Sequence, residues 1–324
     1  MKPAYAQLGA DELRRRALLA RRLLSPCELC PRHCGVDRLS GETGYCLTGA
    51  PARVYSYLSH HGEEPPISGR RGSGTVFFSG CSLRCVYCQN CEFSQNPVGD
   101  EFSGEDLAGV FLSLQEAGCH NVNLVTPTHV VPQILEALAL ACERGLNLPL
   151  VYNTSGYDLV ETLRLLDGVV DVYMPDMRYS DPAAAAMYSD GADYVEVNRA
   201  AVVEMHRQVG DLMLDSDGVA VRGLLVRLLV LPNGTAGTEE TVGFIASKIS
   251  RNTSVSLMSQ YQPLHKAPAH PELARRITPA EYDKVIRVME EEGIVNGFLQ
   301  GYPHADGSPY AGTRIRPTTR RLKA

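Results

Sequence analysis

The sequence has no apolar run that approaches the ~20 residues needed to span a bilayer. It also has no secretory signal pattern, because Asp11, Glu12 and five arginines interrupt residues 11–22. Internal repeats, a glycine-rich phosphate loop after a strand and a Ser-His-Asp hydrolytic set are not evident. We therefore expect a cytoplasmic protein with no membrane partner, and neither a P-loop nucleotide-binding protein nor a triad hydrolase.

The composition is that of an ordinary globular protein. The 324 residues are 44% hydrophobic and 21% charged. At ~100–200 residues per domain, this length predicts one large domain and a smaller one. The formal net charge is −6. Basic residues exceed acidic ones in 1–71, but their pattern is typical of the solvated face of a helix, so we do not expect a nucleic-acid partner.

Cysteine is the residue type that departs from this ordinary composition. Eight of the 10 cysteines lie between Cys27 and Cys91. In a reducing cytosol, closely spaced cysteines favour metal binding or catalysis over disulfides. A small secreted scaffold held by disulfides is therefore excluded. Cys119 and Cys142 lie in or next to predicted helices, and we interpret them as core residues.

The chain divides into three predicted parts. Residues 11–24 have apolar side chains at three- and four-residue spacing, which predicts an amphipathic helix. The following stretch to residue 50 is rich in Cys, Gly and Pro and has little periodicity, and a Gly, Pro and Ser loop at 62–74 marks a boundary. We predict an N-terminal helix and cysteine-rich segment at 1–72, a barrel at 73–300 and a C-terminal tail at 301–324.

Beyond residue 74, short apolar runs alternate with longer helical segments. The predicted strands are 75–78, 122–125, 148–152, 169–174, 224–231 and 255–258. The predicted helices are 111–118, 131–144, 158–166, 194–208, 239–250 and 279–292. This alternation indicates βαβ units and a parallel sheet, either open and doubly wound or curved into a partial barrel.

Polar residues follow nearly every predicted strand. The first polar residues after the six runs are Ser79, Thr126, Asn153, Asp176, Asn233 and Ser259. Barrel enzymes build their active sites at this end of the strands. We therefore predict an α/β fold, a partial (β/α)6 barrel with a small cysteine-rich N-terminal segment.

The motif that carries chemistry is Cys81-x3-Cys85-x2-Cys88, directly after the first barrel strand. Soft thiolate ligands suit iron–sulfur clusters and zinc, and three of them on one loop can bind three irons of a cubane cluster. One iron then keeps an open position for a substrate or cofactor. Cys91 could serve as a fourth thiolate, but we interpret it as the start of the next helix.

This spacing, with Tyr87 just before the third cysteine and a strand leading in, resembles the radical S-adenosylmethionine superfamily. More narrowly, the chain resembles uncharacterised Fe–S proteins related to pyruvate formate-lyase activating enzyme. The segments that support this are GEEPPISG (62–69), GTVFFSGCSLRCVYCQN (74–90), NLVTPTH (123–129), YMPDMRY (173–179), LLVLPN (228–233) and SLMSQYQP (256–263).

The resemblance implies a radical SAM-type barrel with a [4Fe-4S] cluster on Cys81, Cys85 and Cys88. Its fourth iron would be chelated by S-adenosylmethionine, with Tyr87 near the adenine. Reductive cleavage of S-adenosylmethionine would give a 5′-deoxyadenosyl radical that abstracts hydrogen from a substrate. The electron would come from a low-potential donor such as flavodoxin or ferredoxin. We name no catalytic side chain beyond the cluster.

The expected cofactor-binding residues follow the predicted strands. The superfamily often has a Gly-Gly-Glu motif after the second strand, where this sequence has 126–129 instead. The candidates for binding S-adenosylmethionine are Tyr87, Thr126, Thr128, His129, Asn153, Asp176 and Arg178. Two alternatives stay open: Asn153 can belong to a turn, and Asp176 with Arg178 can form a structural ion pair at the barrel mouth.

Other polar residues are candidates for the substrate side. Gln260 and Tyr261 follow the last predicted strand, on the expected substrate side of the cavity. A polar group precedes the cluster strand and is interpreted as an entry loop or a solvated turn, with a metal site as the alternative. Its members are His60, His61, Glu63 and Glu64.

The N-terminal cysteines Cys27, Cys30, Cys34 and Cys46 have the spacing of a second metal site. Four thiolates in a loop-rich segment suit a closed zinc site or a second iron–sulfur cluster. The sequence does not decide between these two metals. The alternatives are buried free cysteines and redox-active thiols near the active site.

We predict a radical SAM oxidoreductase that abstracts hydrogen from a protein or peptide substrate, in the manner of an activating enzyme. Nothing in the sequence identifies a glycyl radical enzyme as that substrate. Two alternatives stay open. One is radical chemistry on a small metabolite. The other is a non-catalytic iron–sulfur or zinc protein with a role in electron transfer or structure.

Overall fold

A computed structural model describes residues 2–301 and the backbone of residues 316–317. The rest of the predicted C-terminal tail, 301–324, lies outside the described residues. No helix in the described part of the chain is both long and apolar enough to cross a membrane.

The described chain alternates strands and helices. The strands are β1 (Ala52–His60), β2 (Ser73–Phe78), β3 (Asp100–Phe102), β4 (Val122–Val125), β5 (Leu150–Thr154), β6 (Val172–Pro175), β7 (Met213–Leu214), β8 (Ala220–Leu229), β9 (Ser254–Met258), β10 (Gly297–Leu299) and β11 (Arg316–Pro317). The helices are α1 (Ala4–Leu8), α2 (Ala10–Arg22), α3 (Pro65–Ser68), α4 (Cys91–Ser94), α5 (Gly104–Glu116), α6 (Val131–Glu143), α7 (Val160–Arg164), α8 (Pro182–Ser189), α9 (Tyr194–Val209), α10 (Thr238–Phe244) and α11 (Pro279–Glu291). A π-helical turn, Ile245–Ile249, extends α10.

All the strands except β7 follow one another across the sheet in the order β11-β10-β9-β8-β6-β5-β4-β2-β1-β3, and β7 pairs with β8. Neighbouring strands from β10 to β2 are parallel, whereas β1, β3, β7 and β11 pair antiparallel. Helices connect consecutive parallel strands, as parallel pairing requires. The predicted α/β class with a mostly parallel sheet is confirmed. The sheet is not closed, because its two ends do not pair within the described residues.

Local sequence explains the main elements. All four residues of β4 and all five of β5 are buried, which explains why apolar residues predominate in both strands. Capping boxes at Ser103 and Thr278 start α5 and α11. The predicted helix at 11–24 is α2, and it packs against α6, whose two faces are therefore both apolar.

Residues of the predicted N-terminal segment pack against the parallel sheet. Its strand β1 pairs antiparallel with β2, and the stretch predicted as a boundary loop at 62–74 contains α3 and includes the first two residues of β2. Arg38 is 1% exposed and donates hydrogen bonds to the carbonyl oxygens of Gly49 and His129. Buried arginine is rare without such partners. These bonds fix the loop-rich segment against the strand ends that form the site.

Candidate functional site

The three cysteines of the central motif lie on one loop between β2 and α4. All three line a cavity of about 200 Å³ at the carboxyl ends of the parallel strands. Each sulfur has a hydrogen-bond partner nearby. The backbone N–H of Leu83 lies 3.4 Å from Cys81 Sγ, Ser189 Oγ lies 3.0 Å from Cys85 Sγ and Ser94 Oγ lies 3.3 Å from Cys88 Sγ. Hydrogen bonds to sulfur of this kind tune bound clusters.

Gly80 lets the loop turn sharply into this position. Its φ is +85°, and a Cβ built there would lie 2.2 Å from the carbonyl oxygen of Cys46. Any other residue would therefore combine backbone strain with a clash against the N-terminal segment. The loop that carries Cys81 thus depends on a glycine at this position and on the chain packed behind it.

The donor set fits a polynuclear cluster. Burial and the neighbouring thiols raise the pKa of Cys81 to about 12, so a cation or cluster is needed to hold its thiolate. Among the described residues, no three His, Cys, Asp or Glu side chains converge as ligands of a single metal ion. In a cluster, each thiolate binds a different iron, and the three sulfurs need not converge on one point. Cys91 begins α4, as expected, and does not line the cavity.

The cavity brings together most of the residues predicted to bind the cofactor. Those that line it are Tyr87, Thr126, Asn153, Asp176 and Arg178. Gln260 and Tyr261 line the same cavity, although they are distant in sequence from the other five residues. The ring of Tyr261 meets that of Tyr87 edge to face at 5.8 Å, and the Tyr179 hydroxyl donates to the Tyr87 hydroxyl at 2.8 Å. This wall combines apolar faces with hydroxyl groups.

Thr128 and His129 do not line the cavity. Thr128 Oγ1 lies 3.2 Å from Thr154 Oγ1 in the interior, and His129 is 1% exposed. Burial lowers the pKa of His129 to about 4, so its imidazole is neutral and donates from Nε2 to the carbonyl oxygen of Ser79 at 2.8 Å. His129 therefore supports the strand end that precedes the cysteine loop.

A chain of buried ionic groups crosses the floor of the cavity. Arg178 Nη2 donates to Asp176 Oδ2 at 2.5 Å, and Arg227 Nε donates to Asp176 Oδ1 at 2.8 Å. Arg227 Nη2 also donates to Asn153 Oδ1 at 2.7 Å, and its Nη1 lies 3.6 Å from Glu63 Oε2. Arg178 Nη1 lies 3.6 Å from the sulfur of Cys85. Asp176 and Arg178 thus form an ion pair that also reaches the cysteine loop.

Arg227 is a site residue that the sequence prediction missed. It lies within β8, where it is the one charged residue in the run LLVRLLV at 224–230. A charged side chain in a buried strand is costly unless it is paired, so this departure from the apolar pattern was a usable signal. The sequence does not reveal the partners, because they come from other strands.

A second cavity of about 310 Å³ shares a wall with the first. Asn153, Arg227, Met258 and Gln260 line both. The second cavity alone is lined by the residues His60, Gly62, Glu63, Glu64, Phe77, Ser256, Phe298 and Gln300. Three of the four residues in the predicted polar group, His60, Glu63 and Glu64, therefore face a cavity. His61 does not line either one.

The four N-terminal cysteines lie near one another. Cys27, Cys30 and Cys46 are buried, and Cys34 is half-buried. Burial, together with the charges of Cys46, Cys27 and Cys34, raises the pKa of Cys30 to about 12. The backbone N–H of Tyr45 donates to the sulfur of Cys34 at 3.3 Å. Within the described range these thiols do not converge on a single ion.

The fold and site define an α/β protein with a three-thiol cofactor site at the carboxyl edge of a mostly parallel sheet. The sequence model of the radical SAM superfamily matches residues 75–206, which include β2, the cysteine loop and the strands to β6. Over these residues the chain is therefore similar to the radical SAM superfamily.

Two curated relatives are uncharacterized proteins of Methanocaldococcus jannaschii. MJ0674 is 28% identical over 285 residues, which cover 85% of this chain and 78% of the relative. MJ0808 is 23% identical over 305 residues, which cover 87% of this chain and 82% of the relative. Both similarities extend beyond the cysteine loop to most of the chain.

Two solved structures are also similar. The match to methylornithine synthase (PylB) covers 96% of this chain and 83% of that chain, with 14% identity and a TM-score of 0.45. The match to HydG, a maturase of the [FeFe]-hydrogenase, covers 68% of this chain and 49% of that chain, with 11% identity and a TM-score of 0.45. This chain therefore spans about half the length of HydG.

Proposed function

We propose that this protein is a radical SAM enzyme that holds a [4Fe-4S] cluster on Cys81, Cys85 and Cys88. The observation that carries the proposal is the position of these thiols, on one loop that faces a cavity at the carboxyl ends of the strands. Bound there together, the cluster and S-adenosylmethionine would supply reductive cleavage of the sulfonium and abstraction of a hydrogen atom. The protein supplies positioning and exclusion of water.

Side chains of the cavity can orient the amino-acid part of S-adenosylmethionine. Two buried polar atoms in the lining, Ser155 Oγ and Arg178 Nε, have no hydrogen-bond partner in the part of the chain that the structure describes. Buried polar atoms are nearly always paired, so these two indicate a polar ligand. We assign Arg178 to its carboxylate. Thr126 and Asn153 are assigned to its remaining polar groups, and Tyr87 to its adenine.

In this proposal Thr128 and His129 support the site without contacting the cofactor. His129 donates to the carbonyl oxygen of Ser79 and so supports the backbone before Cys81. Thr128 packs against Thr154, whose hydroxyl also donates to buried Asp158 at 2.6 Å. Both residues therefore hold the strand ends that orient the cavity, without touching the cofactor.

Anaerobic reconstitution with iron and sulfide tests the assignment. With dithionite and S-adenosylmethionine, the reconstituted protein should release 5′-deoxyadenosine. Cys81→Ala, Cys85→Ala and Cys88→Ala should each abolish release, because each removes a thiolate ligand. Cys91→Ala is the matched control and should retain release. A cluster that binds S-adenosylmethionine without cleaving it would contradict the radical assignment and favour a non-catalytic iron–sulfur protein.

For the substrate we propose a protein or peptide, as for an activating enzyme, with flavodoxin or ferredoxin as electron donor. Two adjoining cavities support this, because together they offer more room than one small molecule needs and suit an extended chain. Deuterium transfer from a labelled polypeptide into 5′-deoxyadenosine is the test. Transfer from a labelled small metabolite instead would favour the second substrate class.

We further propose that Cys27, Cys30, Cys34 and Cys46 bind a second metal group. Their proximity and the N–H···S bond to Cys34 support this. Metal analysis of the variant that lacks Cys81, Cys85 and Cys88 would report this site alone. Zinc or iron would identify the group. Absence of both metals would mean free or redox-active thiols.

A further inference from the structure

The second cavity contains a pair of buried carboxyl groups that the proposed cofactor chemistry does not use. Glu64 is 8% exposed, and the side chain of Glu63 is 10% exposed. Both lie in the loop before α3 and line the cavity beside Arg227. Two adjacent carboxyl groups away from water repel each other unless positive charge compensates them.

The hydrogen bonds of this pair are unevenly distributed. Glu63 Oε1 accepts from Asn123 Nδ2 at 3.1 Å and from Asn153 Nδ2 at 3.3 Å. Its Oε2 lies 3.6 Å from Arg227 Nη1. By contrast, Glu64 Oε2 is buried and has no hydrogen-bond partner among the described residues. Such an unpaired acceptor in a cavity wall indicates a ligand that donates a hydrogen bond.

The charges around the pair do not balance. Arg227 is the cation nearest to Glu63, and its Nε already donates to Asp176. Burial and the charge of Glu64 outweigh Arg227 and raise the pKa of Glu63 to about 7. His60, in the same lining, cannot supply the missing charge, because burial and His61 lower its pKa. The cavity therefore favours a cation from outside.

One part of an otherwise polar lining suits a side chain with an apolar stem. Phe77, Val125, Met258 and Phe298 line the same cavity as the carboxyl pair. Lysine and arginine bury their methylene groups on surfaces of this kind while the charged end reaches polar groups. A small inorganic cation would use the carboxylates but leave the apolar wall without a role.

We propose that the second cavity binds a basic side chain of a peptide substrate, with its charged end at Glu64 and Glu63 and its stem against Phe77 and Met258. This inference rests on the proposed function, because it gives the substrate class for the same site. The shared wall with the first cavity, which includes Asn153 and Met258, puts this side chain next to the cofactor.

Calorimetric titration of the anaerobically reconstituted protein at low ionic strength tests the inference. The probes are the pentapeptides acetyl-Gly-Gly-Lys-Gly-Gly-amide and its glutamine analogue. We expect the lysine peptide to bind at least about tenfold more tightly, because it donates charge-assisted hydrogen bonds to the pair. Glu64→Gln should remove this preference. Glu116→Gln, at an exposed position of α5, is the matched control and should keep it.

Equal affinity of the two peptides for the wild-type protein, or no binding of either, would overturn the inference even if the variant fails to fold. A preference that survives in folded Glu64→Gln would overturn it too. Release of 5′-deoxyadenosine without peptide is measured in parallel. Release without a lysine preference refutes only this inference, whereas a preference without release refutes the proposed function.

Discussion

Replacement of Arg227 by methionine would test the buried ionic chain directly. Methionine keeps most of the side-chain length and removes the charge and all five donors. The variant loses the bond to Asp176 at 2.8 Å, the bond to Asn153 at 2.7 Å and the ion pair with Glu63 at 3.6 Å. Asp176 keeps its bond to Arg178, but Glu63 is left without a positive partner.

The size of the effect follows from this geometry. Two unit charges 3.6 Å apart attract by about 5 kcal/mol at an effective dielectric constant of ~20. Desolvation of both groups offsets part of this attraction, and removal of one partner from a buried pair typically costs ~3–5 kcal/mol. We therefore expect Arg227→Met to lower the free energy of unfolding by about 3–5 kcal/mol.

Guanidinium unfolding at pH 8.5, above the Glu63 pKa of about 7 so that its carboxylate is ionised, measures this loss by circular dichroism. Adding Glu63→Gln to Arg227→Met should restore about 1–3 kcal/mol, because the unpaired carboxylate is gone. Arg207→Met is the matched control, since Arg207 also bridges two carboxylates but lies at the surface, where we expect little change. A loss for Arg227→Met no larger than that of the control, or no recovery in the double variant, would refute the reasoning.

Two further predictions concern the backbone and pH. Gly80→Ala should reduce the iron bound per chain far more than Gly145→Ala. The φ angles at the two sites are similar, +85° and +87°, but only at Gly80 would the added Cβ clash with a backbone atom. Equal losses of iron would contradict this prediction. Burial raises the pKa of Asp171 to about 6. Between pH ~4 and ~6 the folded state therefore keeps a proton on Asp171 that the unfolded state has lost. The stabilisation from this bound proton disappears as the pH rises through that range. Relative to wild type, Asp171→Asn should therefore gain about 2 kcal/mol in unfolding free energy between pH 4.5 and pH 7, measured by urea unfolding. A difference independent of pH would be the contrary result.

The parallel strands could be predicted from the sequence because burial on both faces leaves continuous apolar runs. The run at 122–125 matches β4, and 255–258 matches β9 to within one residue. Strand β1 was missed for the opposite reason. Most of its side chains are at least partly exposed, so its sequence has no apolar run, and its pairing with β2 depends on tertiary contact.

The site could be predicted in part. Residues at or just after strand ends, such as Asn153 in β5 and Asp176 after β6, line the cavity because strand ends share one edge of the sheet. Thr128 and His129 lie only two and three residues beyond Thr126, but the chain there enters a 3-10 turn and buries both side chains. The pairing of Arg227 with Glu63 joins positions 164 residues apart (227 − 63), so a local sequence pattern cannot predict it.

The Cys46 carbonyl packs against Gly80 and so joins residues 1–72 to the cysteine loop. Residues 1–72 are synthesised before the cysteine loop, which in the folded protein packs against the surface that they form. A fragment starting at residue 73 would lack this surface, the β1 partner of β2 and the bond from Arg38 to the His129 carbonyl. Cofactor loading of that fragment would then require the first 72 residues in trans, as a complementing chain.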